Sequence, residues 1–236
     1  MISVGRFLRN ATSRDPSRRL RALRLAADWL LPDYRLTWFQ YDWWRDDEFN
    51  AYLDKFGERD GFNAHRRWML HQLLKLVRDV PGDTVECGAF LGASSWLMCE
   101  LGRTHHIFDS FQGLSPPDTI DGDHWQGGVL SATEGAVLAN LAPYTPILHK
   151  GWIPDRFSDV ADRRFVAVHV DVDLYQPTRD SIDFFYPRLN PGGLFVCDDY
   201  GFTTCPGATK AIDDFMADKP ETIVSMDAGG CFFVKI

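Results

Sequence analysis

From Pro81-Gly82 onward, short runs of β-branched and aromatic residues alternate with stretches of helical periodicity. Runs without a polar face belong to strands covered on both sides, as in a parallel sheet flanked by helices. The pattern predicts strands over Thr84–Phe90, His106–Phe111, Ile147–Lys150, Phe165–Asp171, Gly193–Cys197, Thr222–Met226 and Phe232–Ile236. Helices are expected near Ala93–Leu101, Thr133–Asn140, Thr178–Leu189 and Ala208–Met216. The last strand should run antiparallel beside Thr222–Met226, because Ala228-Gly229-Gly230 is too short for the dozen or so residues a parallel crossover needs. The expected fold class is therefore α/β, a doubly wound, mostly parallel seven-stranded sheet.

Before this region the periodicity is helical. Asp15 as N-cap and Pro16 at the first helical position start a helix in which Leu20, Leu23, Ala27, Leu30 and Leu31 recur at helical spacing. The aromatic run Trp38-Phe39-Gln40-Tyr41-Asp42-Trp43-Trp44 is dense enough for a core, a substrate wall or a lid. Helix-like stretches continue from about Glu48 to Asp79. The expected organisation is a helical extension and lid over residues 1–79 and an α/β domain over residues 80–236.

Composition narrows the function classes. At 236 residues the chain holds one complete α/β domain. A formal net charge of −8 disfavours a general affinity for nucleic acid, which relies on displacing counterions with Lys and Arg. No apolar run is long enough to span a bilayer, and no apolar block follows the basic N-terminal residues as an export signal, so a cytoplasmic location is expected. Cys87, Cys99, Cys197, Cys205 and Cys231 lack the spacing of a zinc site or redox pair and read as small buried hydrophobes. Seven arginines among the first 24 residues suggest a solvated helix face or a subunit contact; with the nearby aromatics they predict a homo-oligomer.

Two groups of residues carry chemistry. Val85-Glu86-Cys87-Gly88-Ala89-Phe90-Leu91-Gly92 places E-x-G-x-x-x-G at the first strand-to-helix turn, where glycine brings bare backbone up to a ligand. Phe90 stands where a dinucleotide fingerprint needs its middle glycine, which argues against NAD or FAD. Asp109 ends the next strand at the spacing of a carboxylate that takes ribose hydroxyls. S-adenosylmethionine, with a ribose and no phosphate, suits the pair.

The second group is Asp171-Val172-Asp173 at the end of one predicted strand and Asp198-Asp199 at the end of the next. Adjacent parallel strands bring these ends together beside the cofactor turn, and four carboxylates in a crevice repel one another unless a cation neutralises them. Hard oxygen ligands select magnesium or calcium. Two apart on a regular strand, Asp171 and Asp173 would share a face, one to bind metal and the other to take a proton. His169 could face the same site. His65, His71, His105, His106 and His149 show no ligand pairing, whereas His124, in Asp121-Gly122-Asp123-His124-Trp125, sits in a polar loop placed to reach an acceptor.

The chain resembles the macrocin O-methyltransferase (TylF/MycF-type) family of class I methyltransferases. The resemblance spans roughly residues 80–210 and rests on five ordered blocks: Val85-Glu86-Cys87-Gly88, Phe108-Asp109-Ser110-Phe111-Gln112-Gly113-Leu114, Lys150-Gly151-Trp152, Asp171-Val172-Asp173-Leu174-Tyr175 and Asp198-Asp199-Tyr200. It implies that Glu86, Cys87, Gly88, Ala89, Ser94, Asp109 and Ser110 bind S-adenosylmethionine and that Gly151 and Trp152 lie against its adenine. It further implies that Asp171, Asp198 and Asp199 hold Mg2+, and that Asp173 is the base toward a hydroxyl of a sugar or glycoside. Phe-Leu-Gly-Ala-Ser after Gly88 and Val172 between the two acids depart from the macrolide enzymes' pattern and leave the acceptor open. Magnesium-dependent catechol and phenol methyltransferases share the layout. Glycosyltransferases share Asp-x-Asp, but leave Asp198-Asp199 and the E-x-G turn unexplained.

Overall fold

In a computed structural model the protein is described over residues 4–31, 46–59 and 63–236. Seven strands form one sheet: β1 (Asp83–Cys87), β2 (His105–Asp109), β3 (Ile147–Lys150), β4 (Phe165–Val170), β5 (Leu189–Cys197), β6 (Val224–Ser225) and β7 (Cys231–Val234). Their order is β3-β2-β1-β4-β5-β7-β6. β1 to β5 run parallel, and β7 enters antiparallel between β5 and β6, with Leu194 opposite Val234. The predicted hairpin is present.

Several expected strand ends are corrected, β2 among them, which ends at Asp109 rather than Phe111, with β6 and β7 also shorter than expected. β1 stops at Cys87 because Gly88 turns the chain at φ +83° and Phe90 follows at +46°. β4 stops at Val170, although the Asp171 N–H still donates to the Cys87 carbonyl at 2.9 Å. The helices on the sheet are α5 (Ala93–Cys99), α6 (Glu134–Asn140), α7 (Tyr175–Phe185) and α8 (Pro206–Met216). Both α7 and α8 begin before their expected starts, since each takes a proline, Pro177 or Pro206, into its first turn, where the missing N–H costs no hydrogen bond.

Strand residues Val85, Phe108, Phe165, Val168, Phe195 and Phe233 make one core with Ile182 and Phe185 of α7 and Ile212 and Phe215 of α8. Phe165, Phe185, Phe195 and Phe233 are almost wholly buried, each worth about 2 to 3 kcal/mol of transfer free energy. All five cysteines are buried and free.

The chain divides into two compact units, Met1–Asn50 and Ala51–Ile236. In the first, α1 (Val4–Ala11) was not expected, and α2 (Pro16–Leu30) starts as predicted, with the Asp15 side chain accepting from the Ser17 N–H at 2.9 Å. Of the expected apolar stripe only Leu20 is buried, whereas Leu23, Leu30 and Leu31 are exposed. The aromatic run Trp38 to Trp44 lies outside the described residues. α3 (Asp47–Phe56) is followed by α4 (Ala64–Leu74), which lies within the second unit and buries Arg67, Leu70, Leu73 and Leu74. Among the described residues no helix is long and apolar enough to cross a membrane.

Candidate active site

A cavity of about 950 Å³ opens at the carboxyl ends of β1, β2, β4 and β5. At its floor the turn after β1 is drawn tight: a Cβ built on Gly88 would lie 1.9 Å from the Asp171 carbonyl oxygen, so no larger residue fits. The Ala89 and Phe90 N–H groups then donate to Asp109 Oδ2 at 2.8 and 3.3 Å, while the Phe111 N–H donates to Oδ1 at 2.6 Å. Three amides thus fix a carboxylate whose remaining lone pairs can accept from hydroxyl donors. Gly88, Ala89, Ser94, Asp109, Ser110 and Trp152 line the cavity.

Glu86, Cys87 and Gly151 do not. Gly151 stands behind the wall, its N–H on the Asp109 carbonyl at 3.0 Å. Glu86 is fully buried, with Oε1 2.9 Å from His169 Nδ1 and Oε2 accepting from the Ser95 hydroxyl. Burial pushes the Glu86 carboxyl up, but the His169 hydrogen bond and charge outweigh it and hold the group below the usual range. His169, also fully buried, is raised to about 10 against its desolvation by Asp198 and Glu86.

The four aspartates converge, but not by strand alternation. Asp173 lies beyond β4 at φ +62°, a conformation that Asp tolerates better than most side chains. Asp199 Oδ2 holds that turn by accepting from the Val172 and Asp173 N–H groups at 3.0 and 2.7 Å. Asp171, Asp173 and Asp199 line the cavity; Asp198 does not. Burial and the neighbouring Asp198 charge push Asp171 up to about 7. Burial also lifts Asp173 to about 6, and burial with the charges of Asp173 and Asp171 raises Asp199 well above the carboxylate range. Crowded hard oxygens that resist ionising together are what a divalent cation relieves, so the donor set fits magnesium.

Asp173, Asp199 and Cys205 place ligand atoms within 4.8 Å of one another. Burial pushes the Cys205 thiol up to about 12, so it stays protonated and donates to Asp173 Oδ1 at 3.5 Å instead of acting as a thiolate ligand.

The sequence reading missed the counter-charges. Arg66 and Arg67 of α4 both line the cavity, where they face Asp198 and Asp171. Asp198 pairs with Arg66, lies 3.9 Å from Arg67 Nη1 and 3.8 Å from His169 Nε2, and is held below the usual range despite its burial. Only the adjacency of two arginines in a helix that also buries leucines hinted at this, and surface helices commonly carry such pairs.

His124 and Trp125 line another part of the same cavity's wall. The Trp125 Nε1–H donates to Cys205 Sγ at 3.3 Å, which links this wall to Asp173. The loop closes on itself through the Leu114 N–H to the Val129 carbonyl and the Gly128 N–H to the Leu114 carbonyl, both 2.9 Å. Buried Asp121 fastens it, accepting from the Tyr175 N–H at 2.7 Å and the Asp118 N–H at 2.9 Å. Gly207 of α8 makes room, since a Cβ there would lie 1.9 Å from Asp121 Oδ1.

The profile of the family described as Macrocin-O-methyltransferase (TylF) matches residues 64–235. The chain is 29% identical over 220 residues to demethyldecarbamoylnovobiocin O-methyltransferase of Streptomyces niveus, covering 81% of this chain and 83% of that one. It is 32% identical over 152 residues to 8-demethyl-8-(2,3-dimethoxy-alpha-L-rhamnosyl)-tetracenomycin-C 4'-O-methyltransferase of Streptomyces olivaceus, covering 56% and 58% of the two chains. Among solved structures, the O-methyltransferase NovP matches with a TM-score of 0.62 at 25% identity, over 75% of this chain and 83% of that one. The matched stretch begins with α4 and takes in the Gly88 turn, all four aspartates and both arginines. The chain therefore belongs to the macrocin O-methyltransferase family, and it is an O-methyltransferase with the class I, S-adenosylmethionine-dependent fold.

Proposed function

We propose that the protein methylates a hydroxyl of a sugar or glycosylated natural product, taking the methyl group from S-adenosylmethionine, with Mg2+ held by Asp171, Asp198 and Asp199 and with Asp173 as the general base. The observation that carries this reading is the convergence on one cavity of the Asp109-bound turn and the Asp173 carboxylate. A sugar acceptor is supported by the rhamnosyl group in the name of the Streptomyces olivaceus relative.

The sulfonium methyl of the donor is already activated, which leaves the protein to align an oxygen with it and remove one proton. Magnesium, when bound, supplies Lewis acidity that lowers the pKa of an acceptor hydroxyl. Gly88, Ala89, Ser94, Asp109, Ser110 and Trp152 hold the donor in this reading, with Glu86, Cys87 and Gly151 shaping the turn from behind. Asp173, raised to about 6, is ionised at neutral pH yet more basic than an exposed carboxylate, which suits proton removal. Residues 1–79, which supply Arg66 and Arg67 to the cavity, are read as the acceptor-selecting extension. Exposed Leu23, Trp29, Leu30 and Leu31 of the first unit support a homo-oligomer. Light scattering on the full chain and on a chain lacking the first 31 residues tests that part.

Calorimetric titration with S-adenosylmethionine and S-adenosylhomocysteine, with NAD as control, tests the donor assignment. Selective binding of the two sulfur ligands is expected, and a preference for NAD overturns the reading. Chelator-treated protein, shown to be metal-free, should lose methyl transfer to rhamnosides and regain it with magnesium; a full rate without metal removes magnesium from the mechanism.

A further inference from the structure

Arg66 and Arg67 face the same acids but are held differently. Arg67 is buried at the cavity edge, bound to Glu58 through Nε at 3.0 Å and Nη2 at 3.3 Å, and it approaches Asp171 and Asp198 only to 3.9 Å. Arg66 is partly open to the cavity. Its Nη1 donates to Asp198 Oδ2 and, at 3.3 Å, to the Asp198 carbonyl; its Nη2 donates to Asn63 Oδ1 at 2.5 Å. The guanidinium also lies over the Phe202 ring, 5.1 Å from its centroid. Asp198 itself does not line the cavity.

One of the carboxylates assigned to the cation in the preceding section is therefore already taken by a side-chain cation. A guanidinium and a divalent ion on the same carboxylate repel each other strongly in a partly buried site. We propose that Arg66 is a tethered competitor for the divalent cation: it neutralises Asp198 in the metal-free protein and gives up that carboxylate when the cation binds. Phe202 offers the departing guanidinium a cation–π seat, and Arg67 and His169 stay beside Asp198 throughout. Arg66 then sets metal affinity, because the apparent dissociation constant is the intrinsic one divided by the fraction of molecules in which Arg66 is off the site.

This inference rests on the metal reading above, and its test separates the two. Mn2+ is titrated into the full chain and its free concentration followed by electron paramagnetic resonance, for wild type, Arg66→Gln and Asn63→Ala. Arg66→Gln should bind one Mn2+ about tenfold more tightly than wild type, the gain expected if Arg66 holds Asp198 in about nine molecules of ten. Asn63→Ala, which removes one anchor of the guanidinium and leaves the charge, should fall between. Equal or weaker binding by both variants overturns the competition while leaving the metal site standing. No binding by wild type or either variant at millimolar Mn2+ overturns the metal reading and the competition with it.

Discussion

Acids carried by the neighbouring strands β1, β4 and β5 behave oppositely within the sheet and just beyond it. Within the sheet, Glu86 is matched by His169 and Ser95, and its charge is stabilised below the ordinary carboxylate range. Just past the strand ends, Asp171, Asp173 and Asp199 crowd one another and resist ionising. The first is satisfied by its partners. The second retains unspent repulsion, which makes it responsive to a cation and to a proton. Burial alone does not separate framework from chemistry; the completeness of the partners does.

The comparison can be broken most severely at Asp173. Asp173→Asn should lower turnover about a hundred- to ten-thousand-fold, the usual worth of a general base, with S-adenosylhomocysteine affinity unchanged by calorimetry. The same variant should melt at a higher temperature than wild type, since it removes one of several repelling charges and Asn tolerates the left-handed backbone at this position. Unchanged turnover would show that Asp173 is not the base.

Glu86→Gln should do the reverse. Leaving His169 without its anion breaks a fully buried pair and should cost about 3 kcal/mol in urea denaturation. A loss confined to cofactor affinity, with stability intact, would return Glu86 to the cofactor site.

The smallest effect sharpens the structural side. Burial lowers His105 to about 4, while its Nδ1 lies 2.9 Å from the Thr84 hydroxyl. A depressed folded value means that this stabilisation is fully present above the unfolded pKa of about 6.5 and is lost as pH falls through 4. Melting temperature should therefore drop across that window, and His105→Asn should flatten the drop. An identical slope in the variant would assign the acid sensitivity to other groups.

Strands and helices were legible because buried parallel strands print continuous apolar runs, and the four aspartates because paired acids directly follow two of those runs. The positive φ values at Phe90 and Asp173 were not legible, since ordinary side chains rarely adopt them, and strand alternation therefore gave the wrong reason for pairing Asp171 with Asp173. Nor were the partners of Glu86, which shares a motif with the Gly88 turn but bonds to His169 and Ser95 within the sheet. Arg66 and Arg67 stayed hidden because sequence shows a charge without showing which distant residue it meets, and Asp198 lies more than 130 positions away.

The loop that carries His124 and Trp125 is closed by its own backbone and fastened to the helices by one aspartate. Its tip is therefore held largely by its own contacts, with the Trp125 bond to Cys205 as its link to the aspartates. Apart from Trp125, residues between Asp121 and Gly128 should accept exchange or lengthening without a shift in strand register. Changes in acceptor preference within such a lineage should accumulate there first, as replacements of a detachable cassette on an unchanged chassis.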